Sequence, residues 1–249
     1  MAESACVILK IKMYKSLYDT FSHWFHDGKG QVWFYSDSHF GDEEMRYIRK
    51  NYIGDEDQVK HINSKVGKYD TLVILGDIGD IECVRKLHGY KVLIMGNHDK
   101  GASNYKRIKT DEVRQGSYEY VPDYIKGPDG FRGAHIWKEV VTQPAFDNHL
   151  FDEVYEGPLM ISEKILLSHE PIDFPYVFNI HGHDHSNSYF KDGRHLNMCA
   201  EWINYTPIAL SQIIKSGLLS DIETIHRNTI DRATERKRKR EEDEKEDNQ

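Results

Sequence analysis

Thr71-Leu72-Val73-Ile74-Leu75-Gly76-Asp77-Ile78-Gly79-Asp80 (TLVILGDIGD) is the stretch that decides how this chain folds. An apolar and β-branched run without alternation suits a strand covered on both faces. At Gly76 the run stops, and carboxylates follow at once. The same grammar recurs on both sides. Gln31–Ser36 (QVWFYS) runs into Asp37-Ser38-His39, and Lys91–Met95 (KVLIM) into Gly96-Asn97-His98-Asp99. Ile165–Leu167 runs into Ser168-His169-Glu170, and Tyr176–Ile180 into His181-Gly182-His183-Asp184-His185. Helical spacing fills the gaps at Glu43–Tyr52, at Asp57–Val66 (Val59, Ile62, Val66, with Asp57 as N-cap) and at Ile81–His88. Strands alternating with helices predict a layered α/β core.

At 249 residues one domain can bury a sizeable core. The formal charge of −8 argues against a general nucleic-acid coat but not against a nuclease with local basic groups. Three scattered cysteines, Cys6, Cys83 and Cys199, suggest neither a disulfide framework nor a cysteine zinc site. With no membrane-length apolar run and no signal-peptide pattern, a reduced cytoplasmic setting without membrane attachment is expected.

The domain is expected over 31–230. Residues 1–30 precede it as an extension, with an alternating stretch (Val7, Leu9, Ile11, Met13) and an amphipathic helix carrying Leu17, Phe21, Trp24 and Phe25. Within the domain, 100–150 loses periodicity amid glycines, prolines and tyrosines and is expected to be an insert or cap loop. The segment 231–249 is segregated into basic and acidic blocks and is expected to be a disordered charged tail. Its Arg236–Arg240 run also matches a nuclear address or an RNA contact, but the acidic residues after it neutralise it.

The clusters carry the chemistry. In open α/β sheets the carboxyl ends of parallel strands face a common edge, so residues between 37 and 185 can converge there. Carboxylate and carboxamide oxygens mixed with imidazoles suit Mn, Fe or Zn better than Ca or Mg. One catalytic zinc needs about three protein ligands. The clusters offer more than that, which favours two divalent ions about 3.5–4 Å apart.

The order D-x-H, G-D, G-N-H-D, H, G-H-x-H resembles the calcineurin-like metallophosphoesterase superfamily over about residues 31–212. Within it, Ser36–Gly41, Phe151–Tyr155, Ile165–Pro171 and Asn204–Ile208 resemble a branch of compact, uncharacterised phosphoesterases. The resemblance implies a four-layer αββα sandwich with two mixed β-sheets. It implies that Asp37, His39 and His185 hold one metal, that Asn97, His169 and His183 hold the other, and that Asp77 bridges them. A metal-bridging hydroxide would then attack phosphorus in line. His98 would stabilise phosphoryl oxygens or protonate the leaving oxygen, and Asp80 would orient His98. Mn2+ is the favoured ion, with Fe or Zn as alternatives.

Two departures matter. The arginine that follows the second motif in the protein-phosphatase branch is replaced by Ile81, which removes support for phosphoprotein substrates. Asp42 stands where the compact branch often has histidine, which touches substrate contacts rather than the metals. A metallo-β-lactamase reading fails on spacing, because nothing separates His183 from Asp184. The expected substrate is a small phosphodiester or nucleotide. The alternatives are a metal-dependent nuclease and a catalytically silent protein-binding scaffold of the same fold.

Overall fold

A computed structural model describes residues 17–49, 51–99, 136–138, 150–186 and 193–246. The expected apolar runs form strands, slightly shifted at their ends. β1 (Val32–Tyr35), β2 (Thr71–Ile74), β3 (Tyr90–Ile94), β4 (Ile136–Lys138), β5 (Glu153–Tyr155) and β10 (Ile208–Ala209) make a six-stranded sheet in the order β10-β1-β2-β3-β5-β4. β1, β2, β3 and β5 are mutually parallel, while β10 and β4 close the edges antiparallel. β6 (Leu159–Met160), β7 (Ile165–Leu167), β8 (Phe178–His181) and β9 (His195–Asn197) make a second sheet in that order. There β6 is antiparallel and the other three strands run parallel. The chain is therefore an α/β protein with two mixed sheets.

β2 is buried at every position, as its unbroken apolar run requires. One continuous apolar cluster links Phe34, Val73 and Leu93 of the first sheet with Leu167, Ile180 and Leu196 of the second. A bridge between Ser36 and Cys199 joins the segment after β1 to the segment after β9. The parallel strands of each sheet thus deliver their carboxyl ends to a shared edge.

The helices are shorter than the sequence pattern predicts: α1 (Met45–Ile48), α2 (Asp55–Asn63) and α3 (Ile81–Arg85). α1 stops because Arg49 is extended (φ −93°, ψ 121°) with its side chain buried. The N-cap of α2 is Gly54 rather than Asp57. Asp55, Glu56 and Asp57 instead fill the first turn, where their charge opposes the helix dipole.

Residues 19–25, placed by their sequence ahead of the domain, belong to its core. They form a 3-10 helix, and Leu17, Phe21, Trp24 and Phe25 are buried in the main apolar cluster. Burial of Trp24 alone contributes on the order of 2–3 kcal/mol. Thr71 donates its hydroxyl to Trp24 O at 2.7 Å. The tail also differs from expectation. After α4 (Leu210–Lys215), α5 runs from Ile225 to Glu246, so helix covers most of the segment expected to be disordered. Its Arg, Lys and Glu residues are strong helix formers, and Lys237 pairs with Glu241 one turn on at 3.7 Å. The expected cap at 100–150 lies outside the described residues, apart from β4 and Leu150. Among the described residues no helix is long and apolar enough to cross a membrane. Cys83 and Cys199 are buried free thiols.

Glu153 ties the early segment to β5. Its buried carboxylate accepts from His23, from Trp24 Nε1 at 3.3 Å, from Tyr90 Oη at 2.8 Å and from Tyr155 Oη at 2.6 Å. Burial pushes its pKa up, but the donors, His23 and Tyr155 foremost, overcome this and hold it below the ordinary 4.5. Its stabilisation is therefore present above that ordinary value and is lost as pH falls through the depressed folded value. Glu153→Gln should lower stability at neutral pH by roughly 2 kcal/mol. Thermal unfolding across an acid-to-neutral series should show the gap to the parent closing as the pH drops, and a pH-independent gap would contradict this role.

Candidate metal centre

The backbone around the site is held in conformations that side chains ordinarily avoid. Asp37 (φ 54°), His39 (φ 44°), Asp77 (φ 51°) and His183 (φ 66°) are all left-handed. Each such residue costs about 1–2 kcal/mol. The surroundings enforce it by continuing the β1–β2 ladder beyond the strands. Asp37 N–H bonds Gly76 O at 3.0 Å, His39 N–H bonds Asp77 O at 2.9 Å and Phe40 N–H bonds Ile78 O at 2.9 Å. Asp99 locks the next loop against these. Its carboxylate accepts the amides of Gly96 (2.8 Å), Asp77 (2.9 Å) and Ile78 (3.0 Å), which is a capping role rather than a chemical one. Close approach explains two glycines. A Cβ on Gly96 would lie 2.3 Å from Asp77 Oδ1, and one on Gly182 would lie 2.2 Å from Asp37 Oδ2.

The sequence-predicted ligands converge as donor groups that could hold a metal ion. Asp37, His39 and His185 form one group, and Asp77, His169 and His183 form another. In the first, the two carboxylate oxygens of Asp37 have different duties. Oδ2 accepts from Ser36 Oγ at 2.5 Å, His183 N at 2.9 Å and Cys199 Sγ at 3.3 Å. Among the described residues Oδ1 is buried with no hydrogen-bond partner, and so is His39 Nε2 at 3.9 Å from it. His185 Nε2 stands 3.6 Å from the same Oδ1. Atoms bound to a common ion at ~2.1 Å lie ~3–3.5 Å from each other, close to these separations.

The second group likewise brings lone pairs together. His169 Nδ1 must donate to Leu75 O at 2.8 Å, because a carbonyl can only accept. Its Nε2 then faces Asn97 Oδ1 at 2.8 Å and Asp77 Oδ2 at 3.4 Å, both acceptors. His183 Nδ1 joins them, 3.1 Å from both Asn97 Oδ1 and His169 Nε2. Converging acceptors repel unless a proton or a metal ion sits among them. Burial lowers the pKa of His169, but the bond to Asp77 and the charges of Asp37 and Asp77 carry it up to about 9. Asp77 is held below its ordinary value against burial, chiefly by His169. His39 goes the other way, since burial lowers it and keeps its ring a neutral donor.

The groups meet at Asp77. Its Oδ2 is 3.4 Å from His169 Nε2 and 3.6 Å from His39 Nε2, while Oδ1 accepts the His98 amide at 2.9 Å. Asp37, His39, Asp77 and His169 are buried, whereas Asn97, His98 and His183 are exposed and mark the open side. The His98 ring lies 5.4 Å from that of His39. Asp80 does not join this cluster. Its carboxylate caps α3, accepting Glu82 N–H at 3.0 Å, and no hydrogen bond links it to His98. The reason is position, because residue 80 already begins the helix, where an aspartate satisfies a free amide. His181 is buried at the end of β8 against His195, and Asp184 bonds Ser186.

Sequence reasoning missed Glu201 and Arg49. Glu201 Oε1 meets His185 Nδ1, and its Oε2 lies 3.2 Å from Arg49 Nε. Glu201 also falls with His185 and Cys199 in a third possible donor group. No motif marks either residue, since their roles depend on contacts between distant segments.

No protein-family model matches the chain, and no curated protein matches it. Among solved structures it is similar to "the Protein of Unknown Function AQ665 from Aquifex aeolicus", with 22% identity and a TM-score of 0.49. That match covers 75% of this chain and 98% of the other.

A divalent cation taken up by the Asp77 group must expel the His169 proton. Its apparent affinity should climb about tenfold per pH unit from neutrality toward about 9 and flatten above, releasing a proton on binding. Calorimetric titrations in buffers of different ionisation enthalpy measure both, and an affinity indifferent to pH would rule the displacement out.

Proposed function

We propose that the protein hydrolyses a phosphate ester, a small phosphodiester or nucleotide, with two divalent cations and a calcineurin-like αββα framework. The observation that carries this reading is the Asp77 carboxylate, whose one oxygen faces imidazoles from both donor groups. A shared carboxylate between two three-residue sets is what a pair of adjacent cations needs in order to sit close despite their repulsion.

When bound, such cations act as Lewis acids on phosphoryl oxygens and make water acidic enough to serve as a nucleophile near neutral pH. Asp37, His39 and His185 hold one cation; Asn97, His169 and His183 hold the other. The mixture of hard oxygens and imidazoles favours Mn2+, with Fe or Zn as the alternatives. His98, exposed on the open side, is available to a phosphoryl oxygen or to the leaving oxygen. Its backbone amide is fixed by Asp77, so its position follows that of the centre.

Charge favours a small substrate over a nucleic-acid strand. A cavity of about 240 Å³ opens beside Asn97 and His169. Glu156 and Glu170 line it and would repel a run of phosphates.

Two substitutions test the reading on metal-reconstituted protein, screened against phosphomonoesters, cyclic nucleotides and single-stranded nucleic acid. Asp77→Asn should abolish paired metal binding, read by elemental analysis, and turnover with it. Full activity with both metals retained would refute the bridge, and a parent that binds metal yet hydrolyses nothing would favour the scaffold alternative. His98→Ala should keep metal content near normal while turnover falls by about 10²–10⁴-fold. Unchanged turnover would remove His98 from the chemistry.

A further inference from the structure

We propose that Glu201, clamped by Arg49, is a positioning residue that aims His185 Nε2 at the cation of the Asp37–His39 group and sets how tightly that one cation is held. The proposal rests on the two-cation reading above.

Arg49 and Glu201 form an ion pair whose side chains are 0% and 10% exposed. Burying two charges brings little net stability, because the lost hydration about cancels their attraction. What the pair touches is more informative. Glu201 is an ionised carboxylate and can only accept, so the His185 nitrogen that meets it, Nδ1, carries the proton. The lone pair of His185 is thereby left on Nε2, the atom that faces Asp37 Oδ1 at 3.6 Å. A carboxylate on the far nitrogen both fixes the ring and makes the near nitrogen a better metal donor.

Arg49 supplies the other half of the clamp. Beyond Glu201 it donates Nη2 to Asp37 O and Nη1 to Ser38 O, the latter at 3.4 Å. Those carbonyls belong to the left-handed loop that carries Asp37 and His39. One buried guanidinium therefore ties the loop after β1 to the carboxylate that orients His185 in the loop after β8. Glu201 Oε1 meets His185, and Oε2 lies 3.2 Å from Arg49 Nε, an ion-pair distance at which neither atom forms a hydrogen bond. Arg49 is thus the countercharge of Glu201.

The two cation positions are then unequal. His169, on the Asp77 side, is backed by the neutral carbonyl of Leu75, whereas His185 is backed by a charged carboxylate. Removing the charge at Glu201 should weaken one position and spare the other.

The test uses the full chain, stripped of metal and titrated with Mn2+ by calorimetry and by electron paramagnetic resonance. The parent should take up two ions. Glu201→Gln, which keeps the shape, should bind one ion with parental affinity and the other about 10–100-fold more weakly. Arg49→Met should act in the same direction, and if that variant does not fold, Glu201→Gln decides alone. In a His185→Ala background Glu201→Gln should add no further loss, since it acts through that ring. A Glu201→Gln protein that binds both ions as the parent does, loses both equally, or weakens further without His185 overturns the positioning role and leaves the two-cation reading standing. A parent that takes up no ion overturns both.

Discussion

Desolvation of Asp77 is the constraint around which the rest is arranged. A carboxylate this deeply buried is unfavourable unless positive charge or donors answer it. Its backbone amide is fixed by Asp99, its Oδ1 by the amide of His98, and its Oδ2 is turned toward His39 and His169. The donor on Oδ1 leaves Oδ2 facing the centre. His169, whose pKa is carried up to about 9 beside Asp77 and Asp37, supplies positive charge there.

Asp37 repeats the device on a smaller scale. Three donors saturate Oδ2 and leave Oδ1 bare. Two of them, His183 N and Cys199 Sγ, come from the segments after β8 and β9, so the geometry of this carboxylate depends on the sheets being correctly docked. Gly182 permits that contact by having no Cβ to strike the carboxylate. The left-handed residues concentrate at these same positions. Their strain is sustained by ladder bonds that extend past the ends of β1 and β2.

Glu153 shows that a buried carboxylate need not be a functional one. It is as enclosed as Asp77, yet among the described residues the groups bonded to it are ring and hydroxyl donors. The difference between a structural carboxylate and one that could hold a metal is the company it keeps. Donors satisfy the first, whereas other acceptors crowd the second.

The amino-acid sequence by itself determined the strands and where the candidate donor residues gather, because both are written in local terms. An unbroken apolar run has to be buried on both faces, and parallel strands bring their carboxyl ends together. Asp37, His39, Asp77, Asn97, His169, His183 and His185 could therefore be placed at one edge without coordinates. Element ends were less legible, as at Arg49, whose buried guanidinium stops α1 where helical spacing would have carried on. Only the tertiary structure decided which groups support the ligands. Asp80 caps a helix rather than His98, and residues 19–25 pack into the core they were expected to precede. Arg49 reaches Glu201 across more than a hundred residues of chain. Support of that kind comes from chains meeting in space, and no periodicity or spacing encodes it.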